Sequence, residues 1–138
     1  MSAARGMRRL GLSFSTIYTS PLSRCVQTAE IVAAEFKPSS PVRPNRFLFP
    51  GASPARAVGF FSSRTPSGTL LLVGHEPDLS QLAWLLLHGG SVSPALIWKK
   101  GGLCRIDFDG KIAPGRGRLV FHLTPRVLRS VDSRGRRS

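Results

Sequence analysis

The hydrophobic pattern is sharpest between Leu70 and Leu87, LLLVGHEPDLSQLAWLLL. Leu70-Leu71-Leu72-Val73 is a short apolar run closed by Gly74, which reads as a buried strand. From Pro77 onward the apolar positions change period. Leu79, Leu82, Ala83, Leu86 and Leu87 recur at helical spacing, and Pro suits a first helical position because it has no N–H to leave unpaired. His88-Gly89-Gly90 stops that helix. His75 and Glu76 therefore stand on a turn where a strand ends and a helix begins. In α/β sheets, ligands bind outside the carboxyl ends of strands, at such turns.

A similar unit lies upstream. Ala3 to Leu10 reads as the end of a helix and Ile17-Tyr18-Thr19 as a strand. Ser20-Pro21 then supplies a capping hydroxyl and a helix-starting proline, with Leu22, Cys25, Ala29, Val32, Ala33 and Phe36 forming an apolar face. The stretch from Lys37 to Arg56 is crowded by Pro38, Pro41, Pro44, Pro50 and Pro54 and reads as a long connection, with a short extended piece at Arg46-Phe47-Leu48-Phe49. Ser53 to Ser62 reads as a short helix, Thr65 to Gly68 as a turn, and Ser91 to Pro94 as a loop. Gly102 to Phe108 and Leu119 to Leu123 alternate as two strands, expected to pair as an antiparallel hairpin at a sheet edge. Ser130 to Ser138 is expected to be a basic, flexible tail.

Length and composition narrow the class. The 138 residues suit one domain, and a 41% hydrophobic share is enough for a core. No apolar run approaches the roughly 18 residues of a membrane span, and the N-terminus has no apolar signal core. Cys25 and Cys104 are too few for a disulfide framework and are read as buried, reduced thiols of a cytoplasmic protein. The net charge of +13, mostly arginine, favours an anionic partner. The charges are scattered rather than striped, and no nucleic-acid-binding motif accompanies them. Nucleic acid is therefore not the expected partner.

The two strand–turn–helix units each present an anion-binding side chain, Arg24 in the first and His75 in the second. Each also offers free backbone N–H groups at a helix start. If the two strands are parallel neighbours, Arg24 and His75 share one sheet edge. An arginine fork suits phosphoryl oxygens, and an imidazole can donate to them. The residues by themselves thus imply a phosphate pocket.

At this point the sequence resembles a known family. SPLSRCVQTAE resembles the SPLxRAxQTAE motif of the histidine phosphatase (phosphoglycerate mutase-like) superfamily, and VGHEPDLS resembles its second-histidine motif. Gly-His-Glu-Pro, IWKKGGLCRIDF and the terminal LTPRVL are most similar to its small phosphohistidine phosphatase branch. The resemblance spans about residues 5 to 129. It implies a three-layer α/β/α sandwich with a mostly parallel sheet, in a domain over residues 1–129 followed by the tail 130–138. It further implies phosphoryl hydrolysis through a phosphohistidine intermediate, with no metal and no cofactor, on a phosphorylated protein or a small phosphorylated substrate. Arg24 then corresponds to a phosphate-binding arginine and His75 to the second, phosphate-contacting catalytic histidine, with Ser20 and Glu76 shaping the pocket.

One departure matters. The family's nucleophile belongs to an Arg-His-Gly motif on the first strand, and no such motif occurs here; Ala4-Arg5-Gly6 lacks the histidine and lies in a helical context. The sheet is therefore expected to lack its first strand and the chain to be inactive by itself. Two explanations stand: a truncated start, favoured by the intact remaining motifs, or a non-catalytic module that binds phosphate or a phosphoprotein. The other candidates read as structural. His88 suits a helix C-terminus, His122 a surface strand position, and Trp84 and Trp98 packing. Asp78 suits a helix start, and Cys25 reads as an inert core thiol on the apolar helix face.

Overall fold

Alternation along two parallel strands sets the layers of this protein, seen here in a computed structural model that describes residues 2–63, 68–90 and 102–137. Strand β1 (Thr16–Thr19) pairs with β3 (Leu70–Val73) and, on its other side, with the short β2 (Arg43–Pro44); all three run parallel in the order β2-β1-β3. Ile17 and Leu71 are register partners and face one cluster, built with α1 (Ser2–Arg9), α2 (Ser23–Phe36) and α5 (Pro125–Arg137). Tyr18 and Leu72, the next pair, face a second cluster, built with α3 (Pro54–Ser63) and α4 (Asp78–His88). Successive side chains of a strand point to opposite faces, so one pair of strands feeds both cores. The result is the expected three-layer α/β/α arrangement.

The hairpin forms as expected, with β4 (Leu103–Asp107) antiparallel to β5 (Arg118–Leu123), though as a separate two-stranded sheet. It serves the same two cores, Leu103 packing in the first and Ile106 against the second. The chain between its strands caps α4. Gly115 and Gly117 donate backbone N–H bonds to the carbonyls of Leu85 and Leu86, and Gly89 closes the helix in the left-handed conformation. Trp84 stacks on His88 with ring centroids 4.0 Å apart, a packing role for both.

Several expectations are corrected. Arg46-Phe47-Leu48-Phe49 is not extended; Arg46–Leu48 is a 3-10 turn, because the Asn45 side chain accepts a hydrogen bond from the Phe47 N–H at 2.8 Å. The supposed tail from Ser130 is helical through Arg137, because Asp132 is buried between Arg5 and Arg9, each at 3.3 Å. Cys104 is half-buried rather than buried. The expected turn at 65–67, the loop at 91–94 and Trp98 lie outside the described residues.

The α1–α5 contact depends on Gly6. A Cβ added there would lie 2.1 Å from the Leu128 carbonyl oxygen, so the two helix backbones touch where Gly6 has no side chain. Gly6→Ala is expected to cost about 2 kcal/mol or more and to lower the thermal midpoint by several degrees. Gly59→Ala is the control. It lies within α3 with nothing near its Cβ position, and should raise stability by up to about 1 kcal/mol through helix propensity. Thermal unfolding of both variants checks the assignment.

Candidate phosphate site

The register Thr19↔Val73 ends β1 and β3 side by side. The ladder continues one step, with the Ser20 N–H donating to the Val73 carbonyl at 2.8 Å. On the other side the Asn45 N–H donates to the Thr19 carbonyl at 2.8 Å. Ser20 is thus a fully buried polar residue held between two strand ends, adjacent to Gly74 and His75. Its hydroxyl lies 2.8 Å from His75 Nε2 and also accepts from the Leu22 N–H at 3.4 Å. Ser20 and His75, 55 residues apart in sequence, form the centre of the site.

Cys25 completes it. Its thiol lies 3.5 Å from His75 Nε2 and 3.6 Å from the Gly74 carbonyl oxygen, to which it donates. The thiol is buried on the apolar face of α2, as expected from the sequence, but it also backs the imidazole, which the sequence reading missed. The available signal was its place beside Arg24 in the first turn, on the helix that follows Ser20.

The helix starts differ from expectation. Ser20 does not cap α2 and Pro21 precedes it; the cap position is Leu22, which offers no side-chain hydrogen bond. The first turn of α2 contains no acidic residue and does contain Arg24, which is exposed and has no ion-pair partner among the described residues. A cation there opposes the helix dipole, which a bound anion would relieve. Pro77 likewise stands at the cap of α4, after a cis Glu76–Pro77 bond, and the helix starts at Asp78. Glu76 accepts from the buried Ser80 hydroxyl at 2.5 Å, so its carboxylate bonds within the start of α4 rather than to His75.

Behind His75 lies a small pocket lined by Phe47, Leu48, Ala52, Asp78 and Leu79 among others. The loop that supplies its outer wall is tied to α4 through Asp78, whose carboxylate accepts from the Gly51 N–H at 2.8 Å. From its position Asp78 serves the helix dipole, and the structure adds this loop anchor. Among the described residues no three His, Cys, Asp or Glu side chains converge as metal ligands do. His88 and His122 lie elsewhere, His122 opposite Cys104 in the β4–β5 ladder. Burial pushes the Cys104 thiol up to about 11.

Two outcomes test this description. Asp78→Ala should cost about 1 kcal/mol and speed hydrogen exchange at the Gly51 amide, while leaving the exchange of β1 unchanged. Alkylation of Cys104 at pH 8 should run on the order of a hundredfold slower than that of a free thiol and accelerate as the pH rises toward about 11, because only the thiolate reacts.

The family model described as the histidine phosphatase superfamily (branch 1) matches residues 2–47, which include Ser20 and Arg24. An uncharacterized protein of Picosynechococcus sp. is 37% identical over 106 residues, covering 72% of this chain and 61% of that protein, so the chain spans less than two thirds of its relative. Among solved structures, that of the protein histidine phosphatase SixA complexed with tungstate superposes with a TM-score of 0.79 at 18% identity, over 91% of this chain and 78% of that one. The family model matches the first third of the chain, and over most of its length the chain shares the fold of the protein histidine phosphatase structure.

Proposed function

We propose that this chain is a phosphohistidine phosphatase-like unit whose Ser20–His75 edge binds a phosphoryl group. The contact of His75 Nε2 with the Ser20 hydroxyl at 2.8 Å, beside the uncapped start of α2 and Arg24, carries this reading. His75 donates to one phosphoryl oxygen and the Arg24 guanidinium to others, and free N–H groups at the start of α2 add further donors. Ser20 holds the imidazole in place, with Cys25 packed behind it. Glu76, bonded to Ser80, shapes the turn that presents His75.

In the mechanism the family resemblance implies, the histidine of an Arg-His-Gly motif attacks phosphorus and the bond to the leaving group breaks. Water then cleaves the resulting N–P bond and releases inorganic phosphate. Arg24 and His75 stabilise the charge on the transferring oxygens. The histidines of this sequence are His75, His88 and His122, and none stands in an Arg-His-Gly. The chain as written therefore binds phosphate without turning it over. Its proposed substrate is a phosphorylated protein, consistent with the excess of positive charge and with the relative's printed description as a protein histidine phosphatase. Its proposed compartment is the cytoplasm, where cysteines such as Cys25 and Cys104 stay reduced, without a disulfide.

Calorimetric titration with inorganic phosphate tests the site. Binding is expected, weakened about 10-fold or more by Arg24→Ala and by His75→Ala, since a charge-assisted hydrogen bond contributes roughly 1.5–3 kcal/mol. Phosphate binding indifferent to both substitutions would sink the proposal. Hydrolysis of an aryl phosphate is expected to be absent for this chain and to appear when an upstream Arg-His-Gly segment is supplied. Turnover by the chain itself, abolished by both substitutions, would instead reveal another nucleophile. Binding that never becomes turnover, even with the added segment, would favour a pure binding module.

A further inference from the structure

Beside the small pocket behind His75 lies a second, open cleft of about 530 Å³ lined by Arg46, Phe47, Ala52, Ser53 and Arg56. The two cavities share Phe47 and Ala52 as a common wall. Nothing in the phosphate site described above uses the two arginines. Both are exposed, and neither has an ion-pair partner among the described residues. Asp78, a carboxylate that lines the first pocket, is engaged by the Gly51 N–H.

The walls of the cleft are fixed. Asn45 caps the turn that carries Arg46, Phe47 packs on Phe60 with ring centroids 5.5 Å apart, and the Arg46 guanidinium lies over the Phe47 ring at 4.9 Å. On the opposite side the Ser53 hydroxyl accepts from the Arg56 N–H at 3.4 Å. Arg56 sits in the first turn of α3, where a cation opposes the helix dipole. Two guanidinium groups without carboxylates thus border a solvent-open cleft that adjoins the phosphate site.

We propose that this cleft is a specificity subsite that reads acidic side chains flanking the phosphorylated residue of a protein substrate. The proposal rests on the function proposed above, because the phosphoryl group at Ser20–His75 sets which flanking residues can reach Arg46 and Arg56. The cleft shares Phe47 and Ala52 with the small pocket that His75 lines, is large enough for a side chain or two, and is complementary in charge to Asp and Glu. Arginine forks match carboxylates in bidentate geometry, so acidic flanks gain two contacts that serine or lysine flanks do not.

The test uses fluorescence anisotropy with peptides carrying a hydrolysis-stable phosphohistidine analogue, flanked by two Glu, two Ser or two Lys, and with an unphosphorylated Glu-flanked peptide. The Glu-flanked phosphopeptide should bind about tenfold more tightly than the Ser-flanked one at low salt, and the Lys-flanked one most weakly. The difference should shrink as ionic strength rises. Combining Arg46→Gln with Arg56→Gln should erase the preference for Glu over Ser while leaving affinity for inorganic phosphate unchanged, and Arg46→Lys with Arg56→Lys should restore part of it. Equal affinity for Glu and Ser flanks, or a preference that survives the double Gln variant, overturns the proposal. Failure of the phosphate reading is seen separately, as phosphate binding unaffected by Arg24→Ala. In that case a dependence of the unphosphorylated Glu peptide on Arg46 and Arg56 still supports an acid-reading cleft, and its absence overturns it.

Discussion

The pairing of β1 with β3 is the constraint on which the remaining structure depends. Parallel neighbours need a covering crossover between them, and the one here supplies α2 to one face and α3 to the other. The register, with Thr16 opposite Leu70 and Thr19 opposite Val73, sends Ile17 and Leu71 into one core and Tyr18 and Leu72 into the other. It also ends both strands at one level. Slipping the pairing by a single residue would exchange the two faces and separate Ser20 from His75. The same backbone bonds that complete the ladder thus build the site.

Charge is distributed by structural role. Arg5 and Arg9 converge on the buried Asp132 and hold α1 to α5, where Gly6 lets the helices touch. Arg8 pairs with Glu35, and Arg105 and Arg118 pair with Asp107 and Asp109 on the hairpin. The hydrogen bond from Arg105 holds the Asp107 carboxyl below its usual range. Arg24, Arg46 and Arg56 are different: they lie on or near the carboxyl edge of the sheet without acidic partners among the described residues. A net charge of +13 is by itself diffuse information; the fold turns part of it into a local field.

The proline-rich stretch after α2 shows how a connection becomes part of a site. Short backbone bonds, β2 against β1 and the turns at Leu48, Phe49 and Ala52, order it together with side chains that bond to backbone. Asn45 closes the turn at Phe47, and Asp78, from the start of α4, holds Gly51. The two bonds differ in how they could be anticipated. Asn two residues before a turn amide is a local pattern. The bond between Asp78 and Gly51 crosses 27 residues, and no periodicity announces it.

The sequence by itself determined the two strand–turn–helix units, the faces of α2 and α4 and the placement of Arg24, Ser20 and His75 at turns. Those features rest on local periodicity and on glycine and proline punctuation, which act within a few residues. Only the tertiary structure decided that Ser20 touches His75, that Cys25 backs the imidazole and that Ser130 to Arg137 is a helix rather than a tail. Each of these depends on which distant group fills a space or satisfies a buried polar atom. Asp132 illustrates the reason: in a basic, glycine-containing segment nothing local calls for order, and two arginines more than 120 residues away supply it. Long-range pairing is set by packing and register, and those belong to the whole fold.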